Sequence, residues 1–304
     1  MLLIHVLSPL NNKASNLIKF PIDSDYTSWR NQKLRNYVGN IEDLIVHIKN
    51  PRKLSLAELH KIKKNCRDNN FSFYQFPNSI SKSDLIHFAS QFGLKTVIFN
   101  PHADLNGISE LSAKHDSEKI KYIPYTRRSL NWHTDGYYNE LDQHIRSFLL
   151  HCINPAPEGG ENMLINHELI YIHLYEQNPQ LAAALMQTDA LTIPANIENN
   201  VEIRPEQSGP VFYRDNKTKT LQMRYTARSK SIEWKDDPLV LEAKSIIETL
   251  LQEDRYVTHY QLNAGEGLVC NNILHGRTAF TNGSIPEEQR LMYRIRSYDR
   301  LFSE

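Results

Sequence analysis

Cysteine is scarce in this chain of 304 residues: there are three, Cys66, Cys152 and Cys270. None forms a CxxC pair, which excludes a zinc ribbon and a thioredoxin-like redox site. An odd, sparse set suits a reducing compartment, and each thiol reads most simply as a small buried side chain. Excess charge of either sign is also missing. Lys plus Arg and Asp plus Glu both number 35, so there is no global basic field to attract nucleic acid. No apolar run approaches the roughly 20 residues of a membrane span. The opening "MLLIHVLSPLNNK" has no basic leader and no small-residue cleavage site, and reads as mature sequence and a candidate first strand. Nucleotide cradles of the GxGxxG or GxxxxGK(S/T) kind are absent, as are internal repeats. These absences describe a cytoplasmic protein with a small-molecule substrate and no nucleic-acid or membrane partner. A homo-oligomer stays open.

What is present is ordinary for a globular chain: 40% hydrophobic and 23% charged residues, enough for one large core. "SLAELHKIKKNCRDNN" opens on Ser55 with Glu58 three residues on, a capping box that predicts a helix. "FSFYQF" (Phe71 to Phe76) reads as a strand, "SKSDLIHFASQFG" as a helix ended by Gly93, and "KTVIF" as a further strand. "HIRSFLLHCI" is a strong strand candidate, followed by the turn "NPAPEGG". "HELIYIHLYEQ", "PQLAAALMQ" and "DPLVLEAKSIIETLLQED" read as helices; "YVTHYQL", "GLVCNN" and "RLMYRIRSY" return to β. Strands thus bracket a helical segment, the pattern of a β-barrel or jelly roll carrying helices.

Among the 13 histidines, two stand in His-x-Asp tripeptides, about as many as chance allows: His133-Thr134-Asp135 and His102-Ala103-Asp104. His102 lies in the breaker-rich "NPHADLNG". His133 lies beside a strand, where residues i and i+2 share a face and can share an ion. A third ligand is needed, and His275 in "GLVCNNILHGRTAF" sits at the end of a strand, where site residues belong. Two His and one carboxylate form the facial triad of non-haem Fe(II). His144, His151, His167, His173 and His259 have no such context. Downstream, Arg290 and Arg294 share a strand face with Met292, and a buried Arg fork suits a dicarboxylate. Taken alone, Arg290, Arg294 and Arg296 would read as solvent-facing residues of an edge strand.

Together "NWHTDGYY", "PAPEGGENML", "NNILHGRTAF" and "RLMYRIR" resemble the Fe(II)/2-oxoglutarate-dependent dioxygenases of the taurine dioxygenase (TauD/TfdA) family, from about Phe71 to Asp299. The resemblance implies a mainly β fold with helices: a double-stranded β-helix (jelly roll) core, an N-terminal α/β region and a helical insertion at about 166–255, all in a single domain 1–304. It implies His133, Asp135 and His275 as iron ligands, with no catalytic residue beyond the metal centre. Arg290 matches the Arg that holds the distal carboxylate of 2-oxoglutarate, and Arg294 a second Arg near its oxoacid end and the substrate's acidic group. Asn162 stands where the family's GG(D/E)T motif has a Thr that contacts the co-substrate.

Pro101-His102-Ala103 matches taurine-oxidising members, which carry a substrate-contacting His and Tyr just before it; here Val97 and Asn100 stand in those places. Taurine is therefore disfavoured. Asn100, Ser129, Asn131 and Tyr137 are the candidate substrate residues, beside "PYTRRSLN", whose Arg127 and Arg128 suggest an anionic or zwitterionic metabolite. The implied reaction consumes O2 and 2-oxoglutarate, releases succinate and CO2, and hydroxylates, desaturates or oxidatively cleaves the substrate. Asp135 fills the position that a halogenase of this kind leaves vacant. A zinc-dependent hydrolase on the same ligands and a non-catalytic jelly-roll binding protein are the alternatives.

Overall fold

The segment Phe71–Gln75 is buried at four of its five positions, as befits a strand covered on both faces. In the computed structural model, which describes residues 26–98, 104–105, 107–113, 123–253 and 256–302, it lies within a six-stranded sheet. The candidate first strand at the N-terminus and Asn100 to Ala103 lie outside the described residues. The strand order of the sheet is Ile45–His47, Phe71–Gln75, Glu266–Cys270, Ser147–Asn154, Leu291–Ser297, Ser109–Ser112. Ile45–His47 pairs parallel to its neighbour; the other pairings are antiparallel. A second, four-stranded antiparallel sheet runs Thr258–Tyr260, Asn162–Ile165, Leu274–Arg277, Leu130–His133.

Residues 36–166, 225–227 and 254–304, which carry both sheets, pack as one compact unit. Alternation along the strands builds its two cores. Tyr74, Phe76, Leu149, Val269 and Ile295 face one way, onto the helices Leu56–Asn69 and Lys82–Ser90 through Ile62, Cys66, Leu85 and Phe88. Phe71, Phe73, Phe148, Leu150, Leu268 and Met292 face the other way, where Leu164 of the four-stranded sheet joins them. Both helices start on a complete capping box, Ser55 with Glu58 and Ser81 with Asp84. All three cysteines are buried and unpaired.

Residues 26–35, 167–224 and 228–253 pack as a second unit. The helices expected here are present as His167–Gln177, Pro179–Ala184 and Pro238–Leu250. The segment is not purely helical, however: it also holds seven short strands between 191 and 234. Most are three or four residues long, too short for their periodicity to be read. Arg224 lies wholly buried among them and donates to the carbonyls of Leu191, Gly209 and Gln207.

The strand expected at "KTVIF" is reduced to one bridge, Val97 to Ser297. The Asp299 carboxylate accepts from the Lys95 and Thr96 N–H groups, at 3.0 and 2.6 Å, so a side chain takes the bonds a ladder would use. Among the described residues no helix is long and apolar enough to cross a membrane.

Gly267 sits where the Phe71–Gln75 and Ser147–Asn154 strands flank it. A Cβ there would come within 2.1 Å of the Tyr74 ring and 2.6 Å of the Leu150 carbonyl oxygen. Gly267→Ala is expected to lower stability by about 1–3 kcal/mol, read as a lower urea midpoint with an unchanged slope. An unaltered midpoint would show that the sheet yields freely at this point.

Candidate metal centre

His133 ends the strand Leu130–His133 and His275 lies in Leu274–Arg277; the two are direct partners across the ladder. Cross-strand partners bring their side chains to one face, and the two imidazole centroids stand 4.3 Å apart. Asp135 reaches them by a route the sequence pattern did not predict. Extended backbone stops at His133, and residues 135–138 form a turn, with the Asn139 N–H donating to the Gly136 carbonyl. Asp135 Oδ1 still comes within 3.7 Å of His133 Nε2. One ligand atom from each of His133, Asp135 and His275 lies within 4.8 Å of the others, and among the described residues this is the one such group of His, Cys, Asp or Glu.

The two imidazoles are oriented alike. Nδ1 of His133 lies 2.9 Å from the Asn131 carbonyl oxygen, and Nδ1 of His275 lies 2.9 Å from that of Ile273. A carbonyl can only accept, so each Nδ1 carries the proton and each Nε2 presents a lone pair. Burial, reinforced by His133, pushes His275 down to about 3, so it is neutral at pH 7 and in the metal-binding form. Burial opposes the charge on Asp135, yet Arg294, His133 and Arg296 hold its carboxyl well below the usual range. Its Oδ2 is buried with no hydrogen-bond partner among the described residues. A buried anionic oxygen without a donor is costly unless a cation is meant to meet it. Two imidazoles and one carboxylate, with no thiolate, are the donor set of a divalent metal such as Fe(II).

The segment around the ligands is stapled at two points. The Asp135 N–H donates to Asn272 Oδ1 at 2.7 Å, and Asn272 Nδ2 donates to the carbonyls of Asp135 and Ile145. Asn272 thus joins the Asp135 turn to the residues that lead into His275. On the opposite edge, Tyr225–Ala227 acts as an extra strand: Thr134 N–H to Tyr225 O, Tyr225 N–H to Thr134 Oγ1, and Ala227 N–H to Trp132 O, all within 3.1 Å.

Arg290 lies just before the strand Leu291–Ser297 and is buried at 4% exposure. Its guanidinium sits 5.0 Å above the Phe280 ring and makes no hydrogen bond or ion pair among the described residues. Burial lowers it to about 10, so it remains charged at pH 7. Gly160, at φ +74°, leaves the room it needs, because a Cβ there would stand 3.1 Å from Arg290 Nε. Arg294 Nη1 is 3.6 Å from Asp135 Oδ1. The edge-strand alternative fails: Leu291–Ser297 is flanked by Ser147–Asn154 and Ser109–Ser112, and Arg290 and Arg296 are buried. Asn162 is buried, and its amide donates to the Tyr260 carbonyl. Tyr137 is buried and Tyr138 reaches the surface, their rings packed edge to face in the turn rather than alternating on a strand. Ser129 and Asn131 are exposed. His151, His167 and His259 are engaged with Tyr74, the Leu221 carbonyl and Glu161.

Residues 34–296 match the family model described as taurine catabolism dioxygenase TauD, TfdA family. The chain belongs to the TauD/TfdA family. Among curated members, a uridine-5'-phosphate dioxygenase from an Amycolatopsis species is 28% identical over 168 residues, 54% of this chain and 58% of that protein. The chain therefore matches little more than half the length of that relative. Among solved TauD-like structures, asparagine oxygenase with Fe(II), 3-hydroxyasparagine and succinate superposes with TM-score 0.58 at 14% identity, covering 82% of this chain and 80% of that one. A taurine dioxygenase from Burkholderia xenovorans gives 0.56 at 18% identity, covering 84% and 87%. At these identities the likeness is one of fold.

Three residues around the TauD-like centre carried no usable signal. Asn272 sits within a quoted motif, but its role depends on contacts 137 residues away. Arg277, whose guanidinium donates to the carbonyls of Thr126 and Arg128, and Arg296 look like surface charges until the fold buries them. Removal of the staple is expected to loosen the centre: Asn272→Ala should weaken Fe(II) or Mn(II) binding by roughly 10–100-fold, measured by metal titration. Equal affinity in the variant would show that the Asp135 turn holds itself.

Proposed function

We propose that the chain is an Fe(II)- and 2-oxoglutarate-dependent dioxygenase that uses O2 to hydroxylate, desaturate or oxidatively cleave a small anionic or zwitterionic metabolite other than taurine. Its core is proposed to be a double-stranded β-helix formed by the two sheets, in a single oxygenase domain with residues of about 166–255 as an insertion. The observation that carries the reading is the pairing of two unmet needs in one unit. Among the described residues, Asp135 Oδ2 is a buried anion without a donor, and the buried Arg290 guanidinium has the Phe280 ring but no carboxylate beside it. A divalent metal answers the first, and the distal carboxylate of 2-oxoglutarate answers the second.

In this reading His133, Asp135 and His275 hold Fe(II), which supplies the O2 chemistry coupled to 2-oxoglutarate decarboxylation. Arg290 fixes the co-substrate as a bidentate fork in a water-poor setting, with Phe280 stacked against the guanidinium. The Nδ1 bonds to Asn131 and Ile273 keep both imidazoles in the one tautomer that can ligate. Asn162 lies on the family's Thr position, and one of its amide hydrogens remains for the co-substrate after the Tyr260 bond. Asn100, Ser129, Asn131 and Tyr137 are the proposed substrate side. The relatives are named for a nucleotide and an amino acid; both carry an anionic group, which supports a substrate held by the arginines beside the centre.

Anaerobic addition of Fe(II) and 2-oxoglutarate is expected to give a weak visible charge-transfer band. His133→Ala should abolish it, and Arg290→Gln should raise the 2-oxoglutarate concentration it needs by about tenfold or more. No band in the unsubstituted protein would overturn the proposal. Candidate anionic metabolites can then be ranked by stimulated succinate release.

A further inference from the structure

The Arg290 guanidinium shares its aromatic partner with a second buried arginine. Arg277 is 5% exposed, and its guanidinium stands 4.7 Å from the centre of the Phe280 ring, against 5.0 Å for Arg290. Phe280 is buried, and its backbone pairs with Gly159. The neighbouring Gly160 leaves room for the stack: a Cβ there would stand 3.1 Å from Arg290 Nε and 3.4 Å from Phe280 Cβ.

A local irregularity aims Arg277. The register of its strand against Leu130–His133 shifts between His275 and Arg277, the mark of a bulge. A bulge turns a side chain away from the direction the ladder would give it. The Arg277 guanidinium donates to the carbonyl of Thr126, at 2.9 Å, and to that of Arg128. The carbonyl between them, that of Arg127, accepts from the Phe280 N–H at 3.1 Å. Three consecutive carbonyls are thus held by Arg277 and Phe280. Their segment leads through Ser129 straight into the strand that carries Asn131 and His133.

We propose that Arg277 and Phe280 are positioning residues that couple the Arg290 seat to residues 126–128, so that a dicarboxylate on Arg290 tightens the segment leading into the His133 strand and the substrate side. The inference rests on the reading of Arg290 in the previous section. Two effects make the link. The ring face holds the Arg290 guanidinium in place before the co-substrate arrives, so less ordering cost falls on binding. Two like charges over one ring also repel each other. A carboxylate on Arg290 offsets its charge, and Arg277 is then held against the carbonyls of Thr126 and Arg128 with less opposition. Both residues act through other groups, Phe280 through Arg290 and Arg277 through the backbone.

The test uses the full chain with Fe(II) under anaerobic conditions and two 2-oxoacids: 2-oxoglutarate, and 2-oxobutyrate, which has no distal carboxylate to reach Arg290. Hydrogen exchange is followed in peptides covering 123–130. 2-Oxoglutarate is expected to slow exchange there severalfold, and 2-oxobutyrate to leave it unchanged. Arg277→Lys, which keeps the charge and loses the fork, should lose most of that difference while the charge-transfer band still forms. Phe280→Leu should raise the 2-oxoglutarate concentration needed for the band by about threefold to tenfold. It should leave the 2-oxobutyrate concentration and the Mn(II) affinity unaltered, a split that general loosening of the fold would not give. Three results would overturn the inference: equal exchange at 123–130 with either 2-oxoacid in the unsubstituted protein, a difference that persists in full in Arg277→Lys, or a Phe280→Leu titration that shifts for both 2-oxoacids alike or for neither. A missing band in the unsubstituted protein would instead overturn the dioxygenase reading itself.

Discussion

The centre depends on one cross-strand pair, His133 opposite His275. Ladder geometry alone brings two residues far apart in sequence to a fixed separation on one face. Everything else in the unit serves that register. Asn162–Ile165 pairs with the far side of the His275 strand, and Tyr225–Ala227 bonds to the far side of the His133 strand. Neither ligand strand is left as a free edge, so neither can slip by a residue and turn its histidine away.

Asp135 is fixed by a different device. It lies past the end of its strand, where no ladder reaches, and a side chain takes the ladder's place. Asn272 exchanges two hydrogen bonds with the Asp135 backbone, as a paired strand residue would, and ties in Ile145 with its second amide hydrogen. Because Asn272 also leads into the His275 strand, movement at one ligand is felt at the other. A preorganised donor set of this kind loses little entropy when a metal arrives.

The electrostatics run in the same direction. Burial opposes every charge here, yet one carboxylate, Asp135, and four guanidinium groups, those of Arg277, Arg290, Arg294 and Arg296, are held in or beside the core. The cations outnumber the anion, and the excess is concentrated on Arg290 to Arg296, within a few residues of one strand. Buried charge without a partner destabilises the empty protein. On the proposed reading, its persistence here marks where bound anions would contribute to the folded state.

Much of the site was legible in the sequence. The His-x-Asp, the distant histidine and the Arg pair were visible as motifs, and the helices with capping boxes formed where local chemistry directed them. What failed were features without local cause. "KTVIF" has the composition of a strand, but Asp299 occupies the N–H groups of Lys95 and Thr96. His133 and Asp135 meet through a turn, not through the alternation that first linked them. Arg296 and Arg277 look like solvated charges in any window of sequence. The sequence by itself determined which donor types exist, how they are spaced and which segments are helical, because those depend on neighbours within a few residues. Only the tertiary structure decided which histidines meet, which arginines are stripped of water and which asparagine stands in for a strand, because pairing register and burial are properties of segments distant along the chain.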